Sequence, residues 1–175
     1  MPIYALNGKQ PIIASSAFVH PEATIIGEAM IGDDCLIAPG AVIRADFGPI
    51  IIGGKTFIQD NVVIHVTPGR AVIIGAEVIV GHCAILHDVE LQERCVIGMG
   101  AILLPNTYCE AGVIVAAGSV VLQGTRILTR KLVAGNPARV IKDVTPEQDE
   151  YAEAGIKEYK NLLILYKRTM KQISV

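Results

Sequence analysis

A mainly β chain, wound as a parallel β-helix of about six triangular coils and followed by a C-terminal α-helix, is what these residues encode. Three features point to it. Aliphatic residues recur every six positions over most of the 175-residue chain. Hydrophobic residues make up 51% of the sequence while aromatics reach only 5% and Trp is absent. The C-terminal stretch then switches to helical spacing. The core must therefore be assembled from Ile, Val, Leu and Ala in small repeated units.

The aliphatic column starts at Val19 and runs through Ile25, Ile31, Ile37 and Ile43, then Ile52, Ile58 and Ile64, then Ile74, Val80 and Leu86. It continues at Leu91, Ile97, Leu103, Cys109, Val115, Val121, Ile127 and Val133. Cys109 alone is not aliphatic, and a thiol behaves as a small hydrophobe in a core. One inward residue in six suits a short strand plus a corner. Three such units close a triangle that stacks on the next at the ~4.8 Å strand spacing. The period slips at Phe47, Gly48 and Pro49 and again at Pro68, Gly69, Arg70 and Ala71. These surplus residues carry Gly-Pro and Pro-Gly and read as extruded loops. The unit between Leu86 and Leu91 is one residue short. A sandwich of strands would instead need period-two alternation and regularly spaced hairpin turns.

From about Val140 the pattern changes, which places the β-helix domain at 1–141 and a helical segment at 142–175. Thr145 caps a helix with Pro146 at its first position and Glu147, Asp149 and Glu150 in the first turn. Tyr151, Gly155, Tyr159, Leu162, Leu163, Tyr166 and Met170 form one stripe, with Lys157, Lys160 and Lys167 largely off it. The stripe predicts packing on the coil flank or on a neighbouring subunit. A sharper alternative brings Tyr159 to the functional site.

Fifteen basic residues against seventeen acidic ones, with no dense basic run, argue against a nucleic-acid partner. The N-terminal MPIYALNGKQP has neither a basic nor an apolar signal region, and no window approaches the ~20 apolar residues of a membrane span. A cytoplasmic protein with no membrane partner is the expectation. Cys35, Cys83, Cys95 and Cys109 show no CxxC pairing and read as small core fillers without disulfides.

The histidines take their meaning from the register. His65 follows Ile64 and His87 follows Leu86, three units later, so the two occupy the same corner of consecutive coils. Arg44 lies one coil below His65 in that column. His82, two places after Val80, belongs to another edge, with Asp60 directly beneath it one coil down and Gln59 beside Asp60. Zinc bound by three His needs nitrogens at ~2.0 to 2.1 Å, so two stacked imidazoles can share an ion while a third, one face away, cannot join within one subunit. A threefold ring of subunits would bring the His82 edge of one chain to the His65 and His87 column of the next. His20 lies outside this pattern and reads as structural.

The strings IRAD around Arg44 and Asp46, FIQDNVVIH from Phe57 to His65, and VGHCAILHD from Val80 to Asp88 resemble the γ-carbonic anhydrase family of hexapeptide-repeat proteins, over roughly residues 3 to 141. GNPARV from Gly135 is shared more widely. The resemblance implies a left-handed coil and a homotrimer with intersubunit metal sites. The ligands would be His65, His82 and His87, holding zinc, with iron or cobalt as alternatives. It also implies Gln59 beside the metal-bound solvent and an ion-pair network of Arg44, Asp46 and Asp60, which residue chemistry alone reads first as a purely structural interface salt bridge. The implied activity is reversible hydration of carbon dioxide to bicarbonate by a metal-bound hydroxide. Two departures bear on its rate. The best-known members carry a long acidic loop after the first ligand and a Glu after RAD, associated with proton transfer, whereas this chain has the short VTPGRAV and Phe47. Two rival functions are a hexapeptide-repeat acyltransferase using an acyl-CoA donor, and a metal-binding structural homologue with little turnover.

Overall fold

The computed structural model describes residues 2–173 and is a parallel β-solenoid with a single C-terminal helix. Its short strands stack in register on three faces. The first face carries Ile3–Tyr4, the start of Thr24–Ile31, the start of Val42–Ile52, Val63–His65, Ile85–His87, Ile102–Leu103 and Val120–Val121. The ends of the two long strands begin the second face together with Ile12–Ile13, and Val72–Ile74 to Arg126–Ile127 complete it. Phe18–Val19 through Lys131–Gly135 make the third.

Each face has seven rungs, one more coil than the register count from Val19. The additional coil comes from residues 3–19, where a small hairpin bridging Leu6 and Lys9, with Asn7 and Gly8 at positive φ, interrupts the six-residue spacing. Every residue of the aliphatic column is buried in one continuous core. Small residues two positions earlier, such as Ala23, Ala41, Cys35 and Cys95, fill the corners of the same core.

Three positions before most of the column residues, the chain turns in a left-handed conformation, either with glycine, as at Gly40, Gly100, Gly112 and Gly118, or with residues such as Asp34, Asn61, Cys83 and Asn106. Cys83 therefore corrects the expectation of four core cysteines. It sits on an exposed corner at φ 61°, while Cys35, Cys95 and Cys109 are buried. A second correction concerns Phe47, Gly48 and Pro49, which are not a loop but part of the continuous strand Val42–Ile52. They are absorbed by a register shift opposite Gly27 and Ala29. Gly27 itself, at φ 79°, lies so close to the Ala45 carbonyl that a Cβ would overlap it. The surplus residues at Pro68–Ala71 do form an exposed turn.

The helix spans Pro146–Thr169 and opens with a capping box, Thr145 and Gln148 each satisfying the other's backbone N–H. It lies on the third face of its own chain, where Phe18, Leu36, Phe57, Ile79 and Val96 point outward and pack with Ile156, Tyr159, Leu162, Leu163 and Tyr166. Gly155 permits the approach, since a Cβ there would stand 3.2 Å from Ile79 Cδ1. Arg94 pairs with Glu153, Arg130 pairs with Asp149, and Lys167 donates to the Ser15 and Ser16 carbonyls. Tyr151, by contrast, is largely exposed. Among the described residues no helix is long and apolar enough to cross a membrane.

Candidate functional site

Strand register stacks Arg44, His65 and His87 as direct neighbours on three successive rungs of the first face. Their side chains emerge at one corner. His65 Nδ1 and His87 Nε2 face each other at 3.1 Å, with the rings edge to face. On the far side His65 Nε2 is 3.0 Å from Asp46 Oδ1, and Asp46 also accepts a hydrogen bond from Arg44. Burial works to raise the Asp46 carboxyl, but the hydrogen bonds from Arg44 and His65 outweigh it and hold the group below the usual carboxylate range. Phe47 stacks obliquely beside His65, with ring centroids 5.9 Å apart.

A second group forms around His82, on the turn after the Ile79–Val80 strand. His82 Nδ1 meets Asp60 Oδ2 at 2.8 Å. Gln59, only 5% exposed, accepts from the His82 backbone N–H at 3.1 Å through Oε1, and its Nε2 donates to the Tyr159 hydroxyl. Tyr159 in turn stacks on Phe57 with a centroid distance of 5.4 Å. Burial pushes the Tyr159 hydroxyl pKa up, against the lowering effect of the Gln59 contact. The helix thus fixes the edge that carries His82. A groove of about 750 Å³ runs from this edge between the helix and the third face, floored by Ile79, Val96 and Ile114.

The single chain brings together Arg44, Asp46, His65 and His87, and separately Gln59, Asp60, His82 and Tyr159. It does not bring the two groups to each other, and among the described residues no three His, Cys, Asp or Glu side chains converge on one point. Two further residues, Asp88 and Thr67, support the first group. Asp88 is nearly buried and accepts from both the backbone N–H and the hydroxyl of Thr67 at 2.6 Å. Its other neighbour is His87 Nδ1, a buried atom 3.3 Å from Asp88 Oδ2 but outside hydrogen-bond alignment. Burial tends to raise the Asp88 carboxyl, and the Thr67 hydrogen bonds override it. The signal in the sequence was the short unit from Leu86 to Leu91, in which Asp88 takes the corner position at φ 51° and is nearly buried.

The His65 and His87 geometry suits a metal ion. Two ligand nitrogens on a tetrahedral zinc stand about 3.3 Å apart, given bonds of ~2.0 to 2.1 Å, close to the 3.1 Å between the facing ring atoms. Asp46 on the remote nitrogen of His65 is the carboxylate support such ligands usually have.

Residues 10–45 match the family model for bacterial transferase hexapeptide repeats. The mitochondrial γ carbonic anhydrase 2 of Arabidopsis thaliana is 36% identical over 177 residues, covering 95% of this chain and 64% of the plant protein. The chain thus spans less than two thirds of that relative's length. The carnitine operon protein CaiE of Escherichia coli K12 is 33% identical over 163 residues, covering 93% of this chain and 83% of CaiE. A solved structure from Bacillus cereus, named as a candidate acetyltransferase, superposes with a TM-score of 0.93 at 37% identity, covering 94% of this chain and 96% of that one. With identity of this order along nearly the whole coil, and the same architecture, the chain belongs to the γ-carbonic anhydrase-like family of hexapeptide-repeat proteins.

Proposed function

We propose that the protein interconverts carbon dioxide and bicarbonate as a metal-dependent, carbonic anhydrase-like homotrimer with its sites at subunit boundaries. The observation that carries this reading is the facing pair of His65 and His87 nitrogens, 3.1 Å apart and braced by Asp46. The rise of the coil supports a third ligand from a neighbouring subunit. His82 comes about two thirds of a coil after His65, hence about 3 Å past His65 and about 1.5 Å short of His87 along the solenoid axis. A threefold axis parallel to the solenoid preserves these heights. His82 of the partner subunit then falls between the two stacked imidazoles, and Asp60 of the partner subunit falls between Arg44 and His65.

Zinc is the occupant the ligand set favours, and iron or cobalt also accept imidazole. When bound, such an ion supplies the Lewis acidity that makes a water nucleophilic at neutral pH. The chain's own residues do the rest. Asp46 orients the His65 ring and, with Asp60 of the partner subunit, holds Arg44 across the boundary. Gln59 uses one amide N–H on Tyr159 and its oxygen on the His82 backbone, which leaves a second N–H to orient a substrate oxygen. Tyr159 positions Gln59.

Metal content, solution mass and hydration rate on one preparation test this. About one ion per chain is expected, with a mass three times the 18.6 kDa chain and hydration by stopped flow that His82→Ala abolishes. Equal rates for wild type and His82→Ala would sink the catalytic assignment, leaving a metal-binding homologue with little turnover. The groove beside the His82–Asp60 pair favours a second reading, acyl transfer from an acyl-CoA, in line with the name of the B. cereus relative. In that case His82→Ala would stop turnover while His65→Ala and His87→Ala would not.

A further inference from the structure

The sheet of the third face ends in an open strand. Ala138–Asp143 pairs antiparallel with Lys131–Gly135 on its inner side, and its outer side has no strand partner among the described residues. Natural sheets blunt such edges with charge, bulges or cover, because an exposed row of N–H and C=O groups invites another strand. Here a register shift between Leu132 and Val133 leaves Ile141 without an opposite residue, yet the middle of the edge is still apolar, with Val140 and Ile141 each 58% exposed. Leu122 and Leu128 on the last coil are exposed at the same end of the solenoid.

The residues directly on either side of this pair, Arg139 and Lys142, are both basic, with Asp143 next in the strand. Arg126, Arg130 and Lys131 are each matched by a carboxylate, Glu110, Asp149 and Asp143 respectively. Arg139 and Lys142 have no salt-bridge partner among the described residues. A second copy is a poor occupant. Antiparallel pairing of two such strands, centred on Val140 and Ile141, sets Arg139 across from Lys142, and like charges directly opposite are destabilising. The alternative register, which opposes Arg139 to Asp143, requires a carboxylate that Lys131 already holds.

We infer that Ala138–Asp143 is a docking edge for an extended segment of another protein, one with a short apolar centre flanked by carboxylates. Main-chain hydrogen bonds to the open edge supply affinity, and contacts to Arg139 and Lys142, which lie opposite Ala134 and Leu132 and so roughly 7 Å apart along the strand, select for acidic flanks. This goes beyond the metal site and stands or falls separately from it.

The test uses the full-length protein and three labelled, end-capped peptides read by fluorescence anisotropy: a valine-rich core flanked by glutamates, the same core flanked by lysines, and the acidic peptide N-methylated at alternate amides. The acidic peptide is expected to saturate and to bind at least about tenfold tighter than the basic one, and N-methylation should abolish binding. Hydrogen exchange should slow within residues 138–143 when the acidic peptide is added. The double substitution Arg139→Glu with Lys142→Glu, at two exposed positions, should reverse the preference without changing the solution mass. Equal affinity for acidic and basic peptides, absence of saturable binding, or protection at other strands overturns the inference. So does a wild-type mass that rises with concentration and returns to its base value in the double variant, since the occupant would then be a second copy.

Discussion

Beside the His65 ring the chain places Phe47, 54% exposed, at the position where the best-known family members carry a proton-transferring Glu after RAD. Of the chain's own carboxylates beside the pair, Asp46 is committed to Arg44 and His65 and Asp88 to Thr67, so in the proposed reaction neither is free to take up the proton. A positioned carboxylate contributes roughly 10² to 10⁴ where proton transfer limits the rate. Phe47→Glu is therefore expected to raise carbon dioxide hydration by at least about tenfold at neutral pH, with Phe47→Gln unchanged, both measured by stopped flow. Equal rates for Phe47→Glu and wild type would mean that proton release is not limiting. The thiols give a second residue-scale prediction. Burial pushes the Cys35 thiol up to about 11 and Cys95 up to about 12, and raises Cys109 as well, while Cys83 is exposed. Because the thiolate is the reactive form, iodoacetamide at mildly alkaline pH should leave Cys35, Cys95 and Cys109 unmodified by mass spectrometry until the protein is denatured, with any native labelling confined to Cys83. Cys83 was legible in principle. It lies three before Leu86, in the column where the coil otherwise places Gly40 and Gly100 at positive φ, and that register outranks the general tendency of cysteine to be buried.

The helix is the element that ties the coil to the site. Its start was readable because Thr145, Pro146 and the acids Glu147, Asp149 and Glu150 form an N-terminal signal, to which the structure adds the Gln148 half of the capping box. Its contact with Gln59 was open, since a stripe shows which face is buried and not which partner meets it. Tyr159→Phe keeps the stacking on Phe57 and removes the hydroxyl, leaving the nearly buried Gln59 amide without that partner. The expected cost is about 1 to 2 kcal/mol, a fall in thermal midpoint of a few degrees, with metal content close to wild type. A midpoint equal to wild type would mean the Gln59 contact adds nothing to stability. Strand limits were less legible. Gly48 and Pro49 signal a loop by local chemistry, yet Gly48 lies against the Arg70 carbonyl of the next coil, so packing between coils keeps the segment in the strand Val42–Ile52. The first coil escaped the register for a similar reason, its spacing being broken by the Leu6–Lys9 hairpin.

At the scale of the molecule, a strict period makes position calculable. Once the phase of the inward aliphatic residues is known, the face and height of each side chain in the regular units follow, and this is why the stacking of Arg44, His65 and His87 is legible in the sequence. The same calculation separates a boundary site from one within a single chain, and mixing subunits tests it. Chains carrying His82→Ala keep an intact His65 and His87 pair; chains carrying His65→Ala keep an intact His82. Each variant alone builds no complete site. Coexpressed in equal amounts, a random trimer joins an intact pair to an intact His82 at about one quarter of its boundaries, so metal content should recover to about a quarter of wild type. A mixture of His65→Ala with His87→Ala should recover none, because both lesions fall on the same edge and no subunit then has the whole pair. Recovery in both mixtures, or in neither, would place the ligands elsewhere than across a subunit boundary.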